Sequence, residues 1–278
     1  MSIGYVNGKF VDLDELVIPI DERGHQFGDG VYEVIRVYNG KPFMIDEHLE
    51  RLMNSCKAIK LPIIETINDF KKLILEAVEK SHLLECNVYL QITRGIATRL
   101  HLFPNVPVSI TMTVRPVKPI SKEIREKGET AIFHEDERWA NCYIKSLNLL
   151  PNILAKQTAY EAGCFEAILE KDGYVTEGTS SNVFIVKDNK IYTTPLTKQI
   201  LPGITRIAVK NVSNILGIEF IEKHFTRDEL LNADELFITS TTSEVLPIVK
   251  VGDQIIGSGK PGDLTKRIYQ QFQELIND

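Results

Sequence analysis

The chain has 278 residues, of which 43% are hydrophobic and 25% are charged, and its formal net charge is −6. This composition is typical of a folded globular protein with one large domain or two smaller ones. The net negative charge and the lack of a basic run argue against nucleic acid or an anionic membrane as a partner.

The sequence also favours a cytoplasmic location. No stretch approaches the roughly 18 apolar residues that would span a bilayer. The N-terminus has neither the basic nor the apolar segment of a signal peptide. The four cysteines are scattered and form no CxxC pair, which fits a reducing compartment and suggests neither a disulfide framework nor a zinc site.

The first part of the chain has an α+β pattern. Two Asn-Gly dipeptides between strand-like runs predict two-residue hairpin turns, at 7–8 and 39–40. Apolar residues at helical spacing predict two helices, one over 46–61 with Asp46 as its cap and one opened by Thr66 and Asp69. Alternating apolar and polar residues predict two half-buried strands, at 88–93 and 108–114.

A break in the pattern predicts a domain boundary. Pro116 and Pro119 remove backbone donors and favour an extended path. We therefore expect a smaller N-terminal α+β domain over 1–115, a linker over 116–121 and a larger C-terminal domain over 122–278.

Strands and helices mix again after this linker. A helix is expected over 146–162, with Pro151 in its first turns and Gly163 as its stop. Another is expected over 204–216, with four residues facing inward: Ile207, Ala208, Val212 and Ile215. The remaining expectations are hairpin turns at 172–173 and 188–189, a helix capped by Thr226 and Glu229, a strand over 235–239 and a helix over 263–276.

Lys145 and Glu177 each lie in a run of small polar residues, YIKSLN and VTEGTSSN. An amine can form an imine with an aldehyde, and a carboxylate can hold a proton on a pyridine nitrogen. Pyridoxal phosphate chemistry needs both groups. No HExxH string or EF-hand loop is present, so no metal is expected.

Two further strings are candidates for binding a phosphate. Gly203-Ile204-Thr205 opens a predicted helix, where the dipole and the first N–H groups favour an anion. Ser240-Thr241-Thr242-Ser243 places four hydroxyl residues after an apolar strand, as an anion-binding turn would. Each string alone is compatible with an ordinary helix start or polar turn.

These strings resemble the fold type IV family of pyridoxal phosphate enzymes, and the likeness runs from Asp21 to Glu244. The family holds branched-chain aminotransferases, D-amino acid aminotransferases and aminodeoxychorismate lyases. The resemblance implies a two-domain α+β fold, pyridoxal 5'-phosphate as cofactor and Lys145 as the catalytic lysine. It implies that the other cofactor contacts are Arg51, Glu177, Ile204, Thr205, Ser240 and Thr241.

Arg51 enters this set through its string EHLERL, which resembles the family's phosphate-binding helix. A planar guanidinium suits a pair of phosphate oxygens. The alternative for Arg51 is an ion pair with Glu47 on an exposed helix face.

Three other residues point to one branch of the family. Tyr32, Arg99 and His101 resemble the set that binds the substrate α-carboxylate in D-amino acid aminotransferases. The resemblance implies a homodimer in which Arg99 and His101 reach the neighbouring subunit's site, with D-amino acids such as D-alanine and 2-oxo acids such as 2-oxoglutarate as substrates. The alternatives are a branched-chain L-aminotransferase, an aminodeoxychorismate lyase and, in another class, a cofactor-free interaction protein.

Overall fold

A computed structural model describes residues 1–277 as two compact units. The first unit contains Met1–Lys118 and Ile144–Asn148, and the second contains Pro119–Tyr143 and the described chain from Leu149 onward. The structure thus groups the segment that carries Lys145 with the first unit, whereas the boundaries expected from the sequence placed it in the second domain. Residues 117–121, within the expected linker, have no regular secondary structure.

The first unit is an antiparallel sheet with helices. Its elements are β1 (Ile3–Val6), β2 (Lys9–Val11), α1 (Arg23–Phe27), β3 (Gly30–Tyr38), β4 (Lys41–Pro42), α2 (Ile45–Ala58), α3 (Ile67–Ser81), β5 (Cys86–Thr93) and β6 (Ser109–Pro116). The strand order is β2-β1-β6-β5-β3-β4. Both Asn-Gly hairpins are confirmed, since Asn7 and Asn39 have positive φ between paired strands.

Helices α2 and α3 cover one face of this sheet. Strand β5 alternates buried and half-buried residues, and its buried side chains join those of the two helices in one core cluster. The helix start predicted at Thr66 and Asp69 is confirmed, and the two residues form a capping box at the start of α3. The prediction that Asp46 caps α2 is wrong, because Met44 occupies the cap position. Asp46 lies in the first turn of the helix, where its carboxylate binds Lys71 at 2.8 Å.

The second unit is a larger mixed sheet with helices. Its elements are α4 (Lys122–Lys127), β7 (Glu129–Glu135), α5 (Leu150–Glu161), β8 (Glu166–Lys171), β9 (Tyr174–Gly178), β10 (Asn182–Lys187), β11 (Lys190–Thr193), α6 (Ile204–Ile215), β12 (Phe220–Glu222), α7 (Arg227–Leu231), β13 (Glu235–Ser240), β14 (Glu244–Val251), β15 (Gln254–Ile255) and α8 (Asp263–Asn277). The strand order is β12-β11-β10-β13-β14-β7-β8-β9, and β15 pairs with β14. Strand β7 runs parallel to both of its neighbours.

Two of the expected helices of this part differ from the structure. The helix expected from Ser146 begins only at Leu150, because Ser146 and Leu147 pair with strand β3 instead. In α6, Ala208 and Val212 are buried as expected, but Ile207 and Ile215 are exposed. The buried face of α6 includes Val209 and Ser213, so it is rotated from the expected stripe.

The expected turns at 172–173 and 188–189, the capping box of α7 and the strand at 235–239 are all confirmed. Among residues 1–277, no helix is both long and apolar enough to cross a bilayer.

Candidate active site

Lys145 lies on a short extended segment whose backbone is bonded on both sides. Its N–H donates to the hydroxyl of Ser55 in α2 at 3.2 Å. Its carbonyl accepts from the amide of Tyr32 in β3 at 3.0 Å. The next residue, Ser146, bridges to Val31 of the same strand. These bonds fix the backbone of Lys145, and its side chain is half-buried.

The Lys145 side chain lies over the ring of Tyr32. Its ammonium nitrogen is 4.3 Å from the ring centroid, within the range of a cation–π attraction. Tyr32 also stacks on Tyr89, with ring centroids 5.5 Å apart. Burial, with the negative charge of Glu33, raises the pKa of Tyr32 to about 12. The phenol therefore stays protonated near neutral pH and can donate a hydrogen bond.

Glu33, which follows Tyr32, is a fully buried carboxylate that binds two basic residues of α2. Arg51 donates to its two oxygens at 2.7 and 2.8 Å, and Nδ1 of His48 lies 2.7 Å from Oε2. Burial by itself raises the pKa of Glu33, but the charge and hydrogen bonds of Arg51, with those of His48, lower it to about 2. Glu33 is therefore ionised at neutral pH.

This pairing changes how Arg51 is interpreted. Arg51 is buried and bound to Glu33, so the alternative of an exposed ion pair with Glu47 is wrong. The Nε and Nη2 donors of Arg51 face the Glu33 carboxylate.

Arg99 and His101 lie in the exposed loop between β5 and β6. The guanidinium carbon of Arg99 is 4.6 Å from the centroid of the Phe27 ring, and the His101 ring is 5.7 Å from it between centroids. The two residues thus share one aromatic neighbour. Among residues 1–277, no hydrogen bond or ring contact joins either of them to Tyr32 of the same chain.

In the second unit, Glu177 is buried at the end of β9 and receives several hydrogen bonds. Arg138 donates to its Oε1, and the Asn182 amide donates to its Oε2 at 2.9 Å. The backbone N–H of Leu201 lies 3.3 and 3.2 Å from the two oxygens. Burial raises the pKa of Glu177, and Arg138 opposes this only in part. Burial is therefore the main reason that the pKa of Glu177 is raised.

Arg138, which binds Glu177, is shared with Asp136. Arg138 donates to Asp136 through Nε at 2.8 Å and through Nη2 at 2.7 Å. Although burial raises the pKa of Asp136, these contacts outweigh it and lower the pKa. Two carboxylates thus compete for one guanidinium. A further positive group beside Glu177, such as a protonated pyridine nitrogen, would balance this cluster.

The two candidate phosphate strings lie on neighbouring elements of the second unit, because α6 packs against β13. Helix α6 begins at Ile204, and no side chain caps its N-terminus. A Cβ at Gly203 would overlap Oδ1 of Asn182, so glycine is required there. Ile204 and Thr205 are both buried in the first turn of α6.

The serine and threonine string forms the turn between β13 and β14. The Ser240 hydroxyl accepts from the amide of Ser243 at 2.9 Å. Thr239, just before it, has a buried hydroxyl oxygen with no hydrogen-bond partner in the described chain. A buried polar atom without a partner is costly, and a bound oxyanion next to this turn would relieve the cost. The turn therefore fits a phosphate group.

The structure places the ten predicted site residues in two sets. The first unit carries Lys145, Tyr32, Arg51, Arg99 and His101, and the second unit carries Glu177, Ile204, Thr205, Ser240 and Thr241. Sequence reasoning missed the residues that orient these groups: Glu33, His48, Ser55, Phe27, Asp136, Arg138 and Asn182. Three of them lie in or beside strings that the sequence singled out, since Glu33 adjoins Tyr32, His48 lies in the Arg51 string and Asn182 ends the Glu177 string.

Comparison with known proteins assigns this chain to a family. The model of the family described as amino-transferase class IV matches residues 30–251. The chain is 47% identical over 271 residues to the D-alanine aminotransferase of Bacillus licheniformis, covering 97% of this chain and 95% of that protein. It is 40% identical over 277 residues to the D-alanine aminotransferase of Staphylococcus haemolyticus, covering 99% and 98%.

The fold is also similar to that of a solved structure. The branched-chain amino acid aminotransferase of Escherichia coli superimposes with a TM-score of 0.91 at 28% identity, covering 99% of this chain and 94% of that one. The prediction of a two-domain α+β fold of type IV is therefore confirmed.

Proposed function

This chain belongs to the amino-transferase class IV family, and we propose that it transfers the amino group of a D-amino acid to a 2-oxo acid with pyridoxal 5'-phosphate as cofactor. D-Alanine and 2-oxoglutarate are the proposed substrates, and pyruvate and D-glutamate are the products. The observation that carries the D-specific assignment is the 47% identity to a D-alanine aminotransferase over almost the whole chain. Arg99 and His101 support it as candidate carboxylate-binding residues.

The residues of the chain fit the cofactor. When bound, pyridoxal 5'-phosphate supplies an aldehyde that holds the substrate nitrogen and a ring that withdraws electrons from the α-carbon. Lys145 would hold the aldehyde carbon, and Glu177 would pair with the pyridine nitrogen. The phosphate would be held by Arg51, by the start of α6 at Ile204 and Thr205, and by Ser240 and Thr241. The competition of Glu177 and Asp136 for one guanidinium and the unpartnered Thr239 oxygen support this assignment.

Lys145 is the proposed proton carrier. Its ε-amine would take the α-proton of the substrate as a general base and return a proton as a general acid. The backbone bonds from Ser55 and Tyr32 limit the movement of the lysine to its side chain. The Tyr32 ring stabilises the protonated form of the amine by cation–π attraction.

Tyr32, Arg99 and His101 are the proposed α-carboxylate site. The phenol of Tyr32 is protonated near neutral pH and can donate, and the Arg99 guanidinium offers two parallel donors. Anchoring the carboxylate decides which enantiomer presents its α-hydrogen to Lys145. The family likeness assigns this arrangement to D-amino acids.

We further propose a cytoplasmic homodimer. Arg99 and His101 are exposed, and they make no contact with Tyr32 within the described chain. A second copy that offers this pair to the neighbouring Lys145 would complete the carboxylate site.

The direct test is an assay of D- and L-amino acids with 2-oxoglutarate. We expect kcat/KM for D-alanine to exceed that for L-alanine by at least about a hundredfold, since a misplaced charged anchor costs about 3 kcal/mol of transition-state binding. Arg99→Ala should raise KM for D-alanine and narrow this preference.

Branched-chain transamination is the second candidate, because the solved structures with a similar fold include branched-chain aminotransferases. A preference for L-valine or L-leucine over D-alanine would establish that function and exclude the D-specific one. The purified protein should be yellow, and borohydride should attach the cofactor to one lysine. A colourless protein would instead support the alternative that the chain is a cofactor-free interaction protein.

A further inference from the structure

We propose that Arg23, Phe27 and Asp29 are positioning residues for substrate specificity, which hold the Arg99–His101 segment in its carboxylate-binding conformation. The inference rests on the proposed function of Arg99 and His101. All of these residues belong to the first unit. None of the three positioning residues is proposed to touch the substrate.

Arg23 holds the backbone of this segment. Its guanidinium is buried, and Nη1 donates to the carbonyl of Leu100 at 2.6 Å. Leu100 stands between Arg99 and His101, and its own side chain is 62% exposed. The segment is therefore held by a backbone hydrogen bond rather than by packing of its central side chain.

Phe27 holds the two side chains. Its ring centroid is 4.6 Å from the Arg99 guanidinium carbon, 4.7 Å from that of Arg23 and 5.7 Å from the His101 ring centroid. Contact of both arginines with one ring is a cation–π arrangement that restricts their rotamers. Phe27 ends helix α1, and Gly28 follows in the left-handed region at φ 65°, where glycine is favoured.

Asp29 joins this arrangement to the rest of the unit. Its carboxylate accepts from Nε of Arg23 at 2.9 Å and from Nε of Arg94 at 2.9 Å. Arg94 also donates to the carbonyls of residues 59 and 60 after helix α2, and its guanidinium carbon lies 3.6 Å from the ring centroid of Phe103. The loop is thus held at Leu100 and again at Phe103. Asp29 supplies the negative charge that lets two arginines lie side by side.

This arrangement matters because the loop has little else to order it. Residues 97–107 contain no helix or strand, and Arg99 to Phe103 are all exposed. An exposed loop without such contacts samples many conformations, and ordering it on substrate binding would weaken affinity. The contacts from Arg23, Phe27 and Asp29 order the loop in advance.

The test compares Arg23→Gln and Phe27→Leu with a matched control, Arg36→Gln. Arg36 is also buried, lies 4.6 Å from the Tyr38 ring centroid and binds Glu85, but it makes no contact with the loop. For each holoenzyme, kcat and KM are measured with D-alanine. The half-reaction is also measured with ethylamine, which lacks a carboxylate, and thermal stability is recorded.

We expect both loop variants to raise KM for D-alanine by about tenfold, the effect of losing about 1.4 kcal/mol of anchoring, while the ethylamine rate stays within about twofold of wild type. Arg36→Gln should leave both quantities unchanged. In an Arg99→Ala background, Arg23→Gln should add little, because the residue it positions is already gone.

Folded loop variants with wild-type KM, or an equal loss for D-alanine and ethylamine, would overturn the proposal. If Arg23→Gln does not fold, the KM of Phe27→Leu tests the proposal, because this substitution removes only ring contacts. A wild-type enzyme that does not use D-alanine would instead refute the proposed function, and this proposal would fall with it.

Discussion

The ammonium nitrogen of Lys145 lies 4.3 Å from the centroid of the Tyr32 ring, and the backbones of the same two residues are joined by a 3.0 Å hydrogen bond. Lys145, the proposed proton carrier, and Tyr32, which is proposed to donate a hydrogen bond to the substrate carboxylate, are therefore held together in the first unit. Glu33, the next residue of the strand, binds Arg51. Strand β3 thus orients groups for proton transfer, carboxylate binding and phosphate binding, the three proposed tasks of Lys145, Tyr32 and Arg51.

Replacement of Lys145 by alanine should abolish turnover without unfolding the protein, because both the amine that binds the cofactor and the proton carrier are removed. We expect the transamination rate with D-alanine to fall by at least about a thousandfold. Lys223→Ala is the control, since Lys223 also lies over a tyrosine ring, 5.0 Å from that of Tyr192. Multiple turnovers by Lys145→Ala without added amine would show that another lysine is catalytic.

Glu177→Gln should reduce catalysis more than it reduces cofactor binding. The amide keeps the shape of the side chain but cannot balance a protonated pyridine nitrogen. The loss of about 2–4 kcal/mol of electrostatic stabilisation of the transition state should lower kcat. The cofactor dissociation constant is measured beside kcat. Glu235→Gln is the control, because it removes a carboxylate that caps α8 in the same unit. An unchanged kcat would exclude this role for Glu177.

Glu33 should stabilise the fold in a pH-dependent way. Its pKa of about 2 in the folded state lies below the ordinary 4.5, so the folded state binds its proton less tightly than the unfolded state. The stabilisation is therefore present above about pH 4.5 and is lost as the pH falls toward 2. We expect Glu33→Gln to lower the free energy of unfolding at pH 7 by about 3–5 kcal/mol, because Arg51 is left buried without its carboxylate.

Urea unfolding of both proteins between pH 7 and pH 2.5 measures this effect. The difference between wild type and Glu33→Gln should shrink by about 3 kcal/mol as the pH falls. Glu85→Gln is the control, because the Glu85 carboxylate also binds a buried arginine but is half-exposed, and its loss should cost about 1 kcal/mol or less. A difference that is constant with pH would contradict the lowered pKa of Glu33.

Activity should depend on the dimer if Arg99 and His101 act in the partner's site. A Lys145→Ala chain is expected to be inactive, and an Arg99→Ala chain is expected to be slow at D-alanine concentrations below its raised KM. Mixing them should restore activity, because a heterodimer would own one site with both Lys145 and Arg99 intact. The control is a mixture of Lys145→Ala with a chain that carries both substitutions, which cannot form such a site. A fully active monomer in sedimentation would refute the cross-subunit assignment.

The sequence by itself determined the local features of this protein and its family. Turns at Asn7 and Asn39, the capping boxes at Thr66 and Thr226, and the strings around Lys145 and Glu177 depend on residues a few positions apart. Their backbone preferences act without the rest of the fold. The fold type followed from these strings by resemblance, and the comparisons confirm it.

Only the tertiary structure decided how the site residues are held. Ser146 and Leu147 are predicted to start a helix, but pairing with β3 outweighs their helical preference and places Lys145 beside Tyr32. Arg51 has an acidic residue one helical turn away, yet it binds Glu33 on a strand. Burial strengthens such contacts between distant residues because water no longer competes for them, and no local pattern in the sequence records which residues will meet.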